Sequence, residues 1–231
     1  EGLSRKLASL QVTGKIQLPA ESEADILQRL ETAMGMPKMK VFPEGFEMVE
    51  RQMHWRTASL ASWSGRRIYS TEPIYIDADV TPEALDGAVD GVISEAMVVC
   101  PAGAATVFAQ KADTLRTTVH FYEGALWLVE DEVTLRASRF ELLDGAAALF
   151  VTGEVEVDPS LDPKILLDRL TGVYNWGTIT CTPAQMDALE VRMVVAEGQL
   201  EDSTFEEEEV ESEGDEEEDD SVTINAGHYR L

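Results

Sequence analysis

The sequence predicts an α/β fold: a repeat solenoid of short strands and short helices with about 21–24 residues per coil, β-rich in the middle and carrying an acidic C-terminal tether. Two self-matches and one glycine rhythm predict it. Residues 74–85 lie without gaps over 155–166, and the register extends through the identical pairs Asp77/Asp158, Pro82/Pro163, Leu85/Leu166, Gly91/Gly172, Val92/Val173 and Cys100/Cys181. A second register lays residues 10–14 over 149–153 and Ile26-Leu27 over Ile165-Leu166. Gly153, Gly177 and Gly198 then recur at intervals of 24 and 21 residues. The expected organisation is a solenoid over 1–203 with copies near 10–70, 73–148 and 149–203, an acidic linker over 204–220 and a terminal β element over 221–231.

The elements follow in order. Residues 15–18, 25–30 and 38–42 read as strand, short helix and strand, and 74–77, 82–89 and 97–100 repeat that alternation. The third copy shows why. Val155 and Val157 alternate with Glu154 and Glu156, the period of a half-buried strand. Asp162-Pro163 supplies a cap residue and a first-turn proline. Ile165, Leu166 and Leu170 give about two helical turns with one apolar face. Gly172 stops the helix, residues 173–181 are extended, Thr182-Pro183 opens a second helix through Met186, Leu189 and Met193, and 194–200 is extended again. Between 114 and 157 the strand candidates crowd together, among them 119–122, 126–129, 133–135 and 140–143, separated by turns such as Glu123-Gly124 and Asp144-Gly145. Tighter β coils or hairpins are expected there, and a similar pattern over 56–76.

The chain of 231 residues holds 44 acids against 18 bases, a formal charge of −26. Residues 201–220 carry 14 of those acids and no base, so the remainder still holds 30 acids against 18 bases. Such a balance repels a nucleic-acid backbone, and no Lys/Arg stripe offsets it, which excludes direct nucleic-acid binding. The acidic run is too self-repelling to build a core. Beyond it, Val222, Ile224, Tyr229 and Leu231 fit two short strand pieces around an Asn-Ala-Gly turn, suited to adding a strand to an exposed sheet edge. No apolar run reaches the roughly 18–20 residues of a membrane span. Only two cysteines favour a reducing, cytoplasmic setting.

Catalytic and metal chemistry is not expected, and no cofactor is implied. His54, His120 and His228 have no ligand partner at fixed spacing, and His54 reads as the end of a helix. HExxH, CxxC and phosphate-cradling glycine loops do not occur. Cys100 and Cys181, at equivalent repeat positions, read as buried small apolar residues in one column of successive coils. Asp77, Asp79, Asp158 and Asp162 read as turn and cap residues. The candidate interaction residues are Trp176 at a turn, as an aromatic anchor, and Arg66-Arg67, as a counter-charge for an acidic segment.

Across roughly residues 10–200, the period and the strand–helix alternation resemble leucine-rich-repeat solenoids, and Leu170-Thr171-Gly172-Val173-Tyr174-Asn175 carries a trace of their signature. That resemblance implies protein binding. Two readings follow: a non-enzymatic scaffold or assembly protein that binds copies of itself or partner proteins through solenoid surfaces, or an acidic inhibitor that masks a basic partner.

Overall fold

The computed structural model describes residues 15–19 and 38–204. The chain is mixed α/β, and every strand pair among the described residues is parallel. Strands β1 (Lys15–Pro19) and β2 (Lys38–Phe42) pair with each other. Sheet I then joins β3 (Glu47–Val49), β5 (Arg66–Ser70) and β7 (Val89–Ser94), while sheet II joins β4 (Met53–Trp55), β6 (Ile74–Ile76), β8 (Met97–Pro101) and β9 (Thr118–Tyr122). Sheet III joins β10 (Ala125–Val129), β12 (Ala147–Val151), β14 (Leu170–Asn175) and β16 (Met193–Ala196). Sheet IV joins β11 (Glu132–Leu135), β13 (Glu154–Val157), β15 (Thr178–Cys181) and β17 (Gln199–Asp202). Apart from the pairs β1–β2 and β8–β9, each paired strand joins one two places away, so the chain alternates between two sheets as it advances within each stack.

Helices α1 (Thr57–Leu60), α2 (Pro82–Ala88), α3 (Ala105–Lys111), α4 (Ala137–Glu141), α5 (Pro163–Arg169) and α6 (Pro183–Arg192) connect successive strand pairs. Helices of 4–10 residues are unstable alone, so packing and caps must hold them. Pro82, Pro163 and Pro183 occupy first turns, the Thr81 hydroxyl accepts from the Ala84 N–H at 3.2 Å, and the Asp162 carboxylate accepts from the Lys164 N–H at 2.9 Å. The other ends are tied across coils. Lys111 donates to the Asp86 carbonyl at 3.0 Å, Arg169 to those of Phe140 and Leu143 at 2.7 Å each, and Arg192 to that of Leu167 at 2.6 Å. Each of these bases lies in the last turn of its helix and reaches the C-terminal end of the preceding one, where a cation complements the helix dipole. Gln185, fully buried, donates to the Asp158 and Leu161 carbonyls at 2.8 and 2.9 Å and accepts from the Thr182 N–H at 3.0 Å.

Two α/β stacks of parallel strands result, each with its own core. The first buries Trp55, Ile68, Ile76, Leu85, Val98, Cys100 and Phe108; the second buries Leu135, Leu149, Val155, Leu166, Val173, Ile179, Cys181 and Leu189. The handover is Gly124, between β9 and β10. Its φ is +82°, and an added Cβ would lie 2.2 Å from the Ala146 carbonyl oxygen, so only glycine fits. The stacks then lie side by side. Tyr75, Val99 and Tyr122 on sheet II meet Ala148, Phe150 and Tyr174 on sheet III. Phe150 stacks on Tyr174 at 4.1 Å between centroids, and the Tyr174 hydroxyl donates to the Phe121 carbonyl at 2.5 Å. Strand β12, Ala147-Ala148-Leu149-Phe150-Val151, is buried on both faces, as its unbroken apolar run requires. Sheet IV is covered on one side only, and β13 shows the matching exposed–buried alternation.

Several expectations need correction. Residues 173–181, expected as one extended piece, form the ends of two strands, β14 and β15, because Trp176-Gly177 turns the chain through a corner between them. No hairpin forms between 114 and 157; β9, β10 and β11 each pair with a distant parallel neighbour, and residues 137–141 are helix α4, not strand. His54 lies on β4, not at a helix end. Cys100 and Cys181 are both buried but in different stacks, so they share a position in the coil and not a column. The expectations for residues 10–14, the helix over 25–30, His228, the acidic run from 205 to 220, and Val222, Ile224, Tyr229 and Leu231 fall outside the described residues.

Candidate functional site

Sheet I supplies the setting for Arg66 and Arg67, which leave β5 in different directions. Arg66 points to the first edge of its stack. There it donates to both carboxylate oxygens of Glu47, at 2.9 and 2.8 Å, and its guanidinium lies 5.8 Å from the Trp63 ring centre. Arg67 points to the outer face, beside Gly91 in register. Gly91 leaves room for it: a Cβ there would meet Arg67 Nε at 3.4 Å and Cγ at 3.5 Å. The ring of Phe46 covers its guanidinium at 4.2 Å. The side chain is thus held between glycine backbone and an aromatic face while its donors remain open.

Arg67 opens on a groove of about 330 Å³ whose walls include Pro43, Phe46, Asp90, Lys111, Asp113 and Arg116. Arg116 is placed by a turn in which its N–H donates to the Asp113 carbonyl at 3.0 Å, while the Asp113 carboxylate accepts from the Leu115 N–H at 3.2 Å. Lys111 stands at the rim, paired with Asp86 at 2.9 Å. Neither Arg67 nor Arg116 forms an ion pair with a carboxylate among the described residues. Nearby Tyr69 is pushed up to about 12, chiefly by burial and then by its hydrogen bond to Glu95. The groove offers positive donors to an oxyanion.

Trp176 lies elsewhere. It is half-buried in the seam between the stacks, edge-on to His120 at 5.1 Å and near-parallel to Phe150 at 6.3 Å. His120 also meets Tyr174 at 5.9 Å, and burial lowers its pKa against a smaller opposing effect of Glu197. The structure sends Arg66 and Arg67 to different sides of sheet I and separates both from the Trp176 seam. Sequence reasoning missed Lys111, Arg116 and Phe46 and read Gly91 only as a repeat position, because isolated residues gain meaning only once the pairing of β5 with β7 is known.

The coil ends form a second class of surface. The large apolar side chains exposed among the described residues are Leu115, Phe121, Leu142, Val191 and Val194, with Leu115 97% and Leu142 88% exposed. All five lie at the ends of the two stacks: Leu115 follows α3, the last helix of the first stack, and Phe121 lies on β9, its last strand; Leu142 follows α4, the first helix of the second, while Val191 lies on α6, its last helix, and Val194 on β16. Burial raises the thiol of Cys100 to about 12 and that of Cys181 to about 11. Among the described residues no group of three His, Cys, Asp or Glu is placed to hold a metal ion, and no helix is long and apolar enough to cross a membrane. Comparison with protein-family models, curated proteins and solved structures gives no match.

Proposed function

We propose that the chain is a repeat solenoid acting as a non-enzymatic assembly protein, joining copies of itself or partner proteins through the ends of its coils. One observation carries this reading: among the described residues, the exposed large apolar side chains lie at the ends of the two stacks, beside strands at a sheet edge. At the last coil, β16 and β17 leave backbone donors and acceptors for a further strand, and Val191 and Val194 supply apolar contact. The alternating set Val222, Ile224, Tyr229 and Leu231 would add such a strand, in the same chain or in another. Light scattering at low and high salt tests this. Assembly should persist in high salt and weaken in the double variant Val191→Glu, Val194→Glu; a wild-type chain that stays monomeric under all conditions and pulls down no partner overturns it.

The outer face of sheet IV favours a second reading, an acidic protein masking a basic partner. Glu132 lies beside Glu154 in register, and Glu156 and Glu201 flank Thr180, all without a base on the same face. A partner held this way would be released as salt screens the attraction, opposite to an apolar contact.

A further inference from the structure

We propose that the groove over Gly91 is a docking site for a carboxylate-rich segment, and that its occupant is the acidic run at 206–220 of the same chain. The groove presents two guanidinium groups, Arg67 and Arg116, without ion-pair partners among the described residues. Guanidinium is suited to this task, because its planar fork matches a carboxylate and is weakly hydrated. Several other bases are occupied: Arg56 is paired with Asp77 and Arg66 with Glu47, while Arg169 and Arg192 tie helix ends. Arg67 is also pre-oriented between Phe46 and Gly91, which reduces the entropy lost on binding.

The occupant follows from charge and reach. Twelve of the fifteen residues from 206 to 220 are acidic. They follow Thr204 closely, and about 15 extended residues span on the order of 50 Å. A body of the described size measures about 40 Å across. Asp90 and Asp113 also line the groove, so the net attraction is modest, and the contact is a latch that salt opens. In the latched state the segment covers sheet I and is withheld from other partners.

The test uses the full chain and a glutamate-specific protease, with cleavage after Glu206 to Glu218 followed by mass spectrometry. At low ionic strength the wild type should be cut about tenfold more slowly there than the double variant Arg67→Gln, Arg116→Gln, the size expected for two or three exposed charge pairs. In high salt the two rates should converge. Both arginines are exposed, so the variant should keep its melting temperature; the single variant Arg116→Gln, outside any strand, should give an intermediate rate and guards against a folding defect. Equal rates at low salt overturn the site. Protection that grows with protein concentration overturns the same-chain occupant and assigns the contact to a second copy.

Discussion

Replacing Gly177 by alanine probes the closest backbone approach in the second stack. The added Cβ would lie 2.0 Å from the Gly153 carbonyl oxygen and 3.0 Å from two carbonyl carbons. An ordinary carbon–oxygen contact of about 3.3 Å requires the corner to move by more than about 1 Å. That displacement strains the bonds from Gly177 N–H to the Val151 carbonyl (3.1 Å), from Thr178 N–H to that of Gly153 (3.0 Å) and from Gln199 N–H to that of Gly177 (2.8 Å). At about 1 kcal/mol each the loss is roughly 3 kcal/mol. A stiffer unfolded chain returns about 0.5–1 kcal/mol. The net destabilisation is about 2–3 kcal/mol, a large part of the roughly 5–15 kcal/mol of a typical domain. Urea unfolding followed by circular dichroism measures it, with Gly87→Ala as the control. Gly87 lies exposed in α2 with nothing within 4 Å of its Cβ position, so that change should be neutral or stabilising by up to about 1 kcal/mol. A Gly177→Ala loss below about 1 kcal/mol, or equal effects at the two sites, refutes the close-stacked corner.

Three further outcomes are expected. Cys100 and Cys181, buried with thiols raised to about 12 and about 11, should react with a thiol reagent only once denaturant is added; fast labelling of the native chain contradicts their placement. His120 has a folded pKa below its unfolded value of about 6.5, so its contribution is present above pH about 6.5 and is lost as pH falls from there through the lower folded value; His120→Gln should flatten the fall in stability between about pH 7 and 5, and an unchanged slope argues against the half-buried imidazole. Gln185→Leu removes three hydrogen bonds of a buried side chain and should cost about 2–4 kcal/mol in denaturant unfolding, whereas a near-neutral effect would show that the turn at Asp158 holds without it.

Local signals were the readable ones. The glycine rhythm at 153, 177 and 198 marks corners where an added Cβ would meet the neighbouring coil, at 2.3, 2.0 and 2.1 Å from a carbonyl oxygen. Prolines 82, 163 and 183 mark helix starts, and the alternation over 154–157 marks a strand with one wet face. Long-range features were not readable. Whether neighbouring strands pair with each other or with partners some 22–24 residues away leaves no trace in alternation, so hairpins were expected where parallel ladders form. The break at Gly124 and the seam were invisible because Tyr174 meets Phe121 across 53 positions. Of the groove, only Arg67 stood out, as one of two adjacent bases; its stacking on Phe46 depends on which way β5 faces.

Strand β12 belongs to two cores at once, with Leu149 and Val151 in the second stack and Ala148 and Phe150 in the seam. Coils that touch only their neighbours can melt one at a time from an end, as a zipper opens. Here, melting the first stack would strip the apolar cover from the outer face of sheet III and expose Phe150 and Tyr174 to water. Neither stack can therefore open without exposing apolar surface of the other, and the two should unfold as a single cooperative unit. Amides of β12 and β14 should exchange with solvent only through global opening, while those of sheet IV, wet on one side, are free to exchange through local fluctuations.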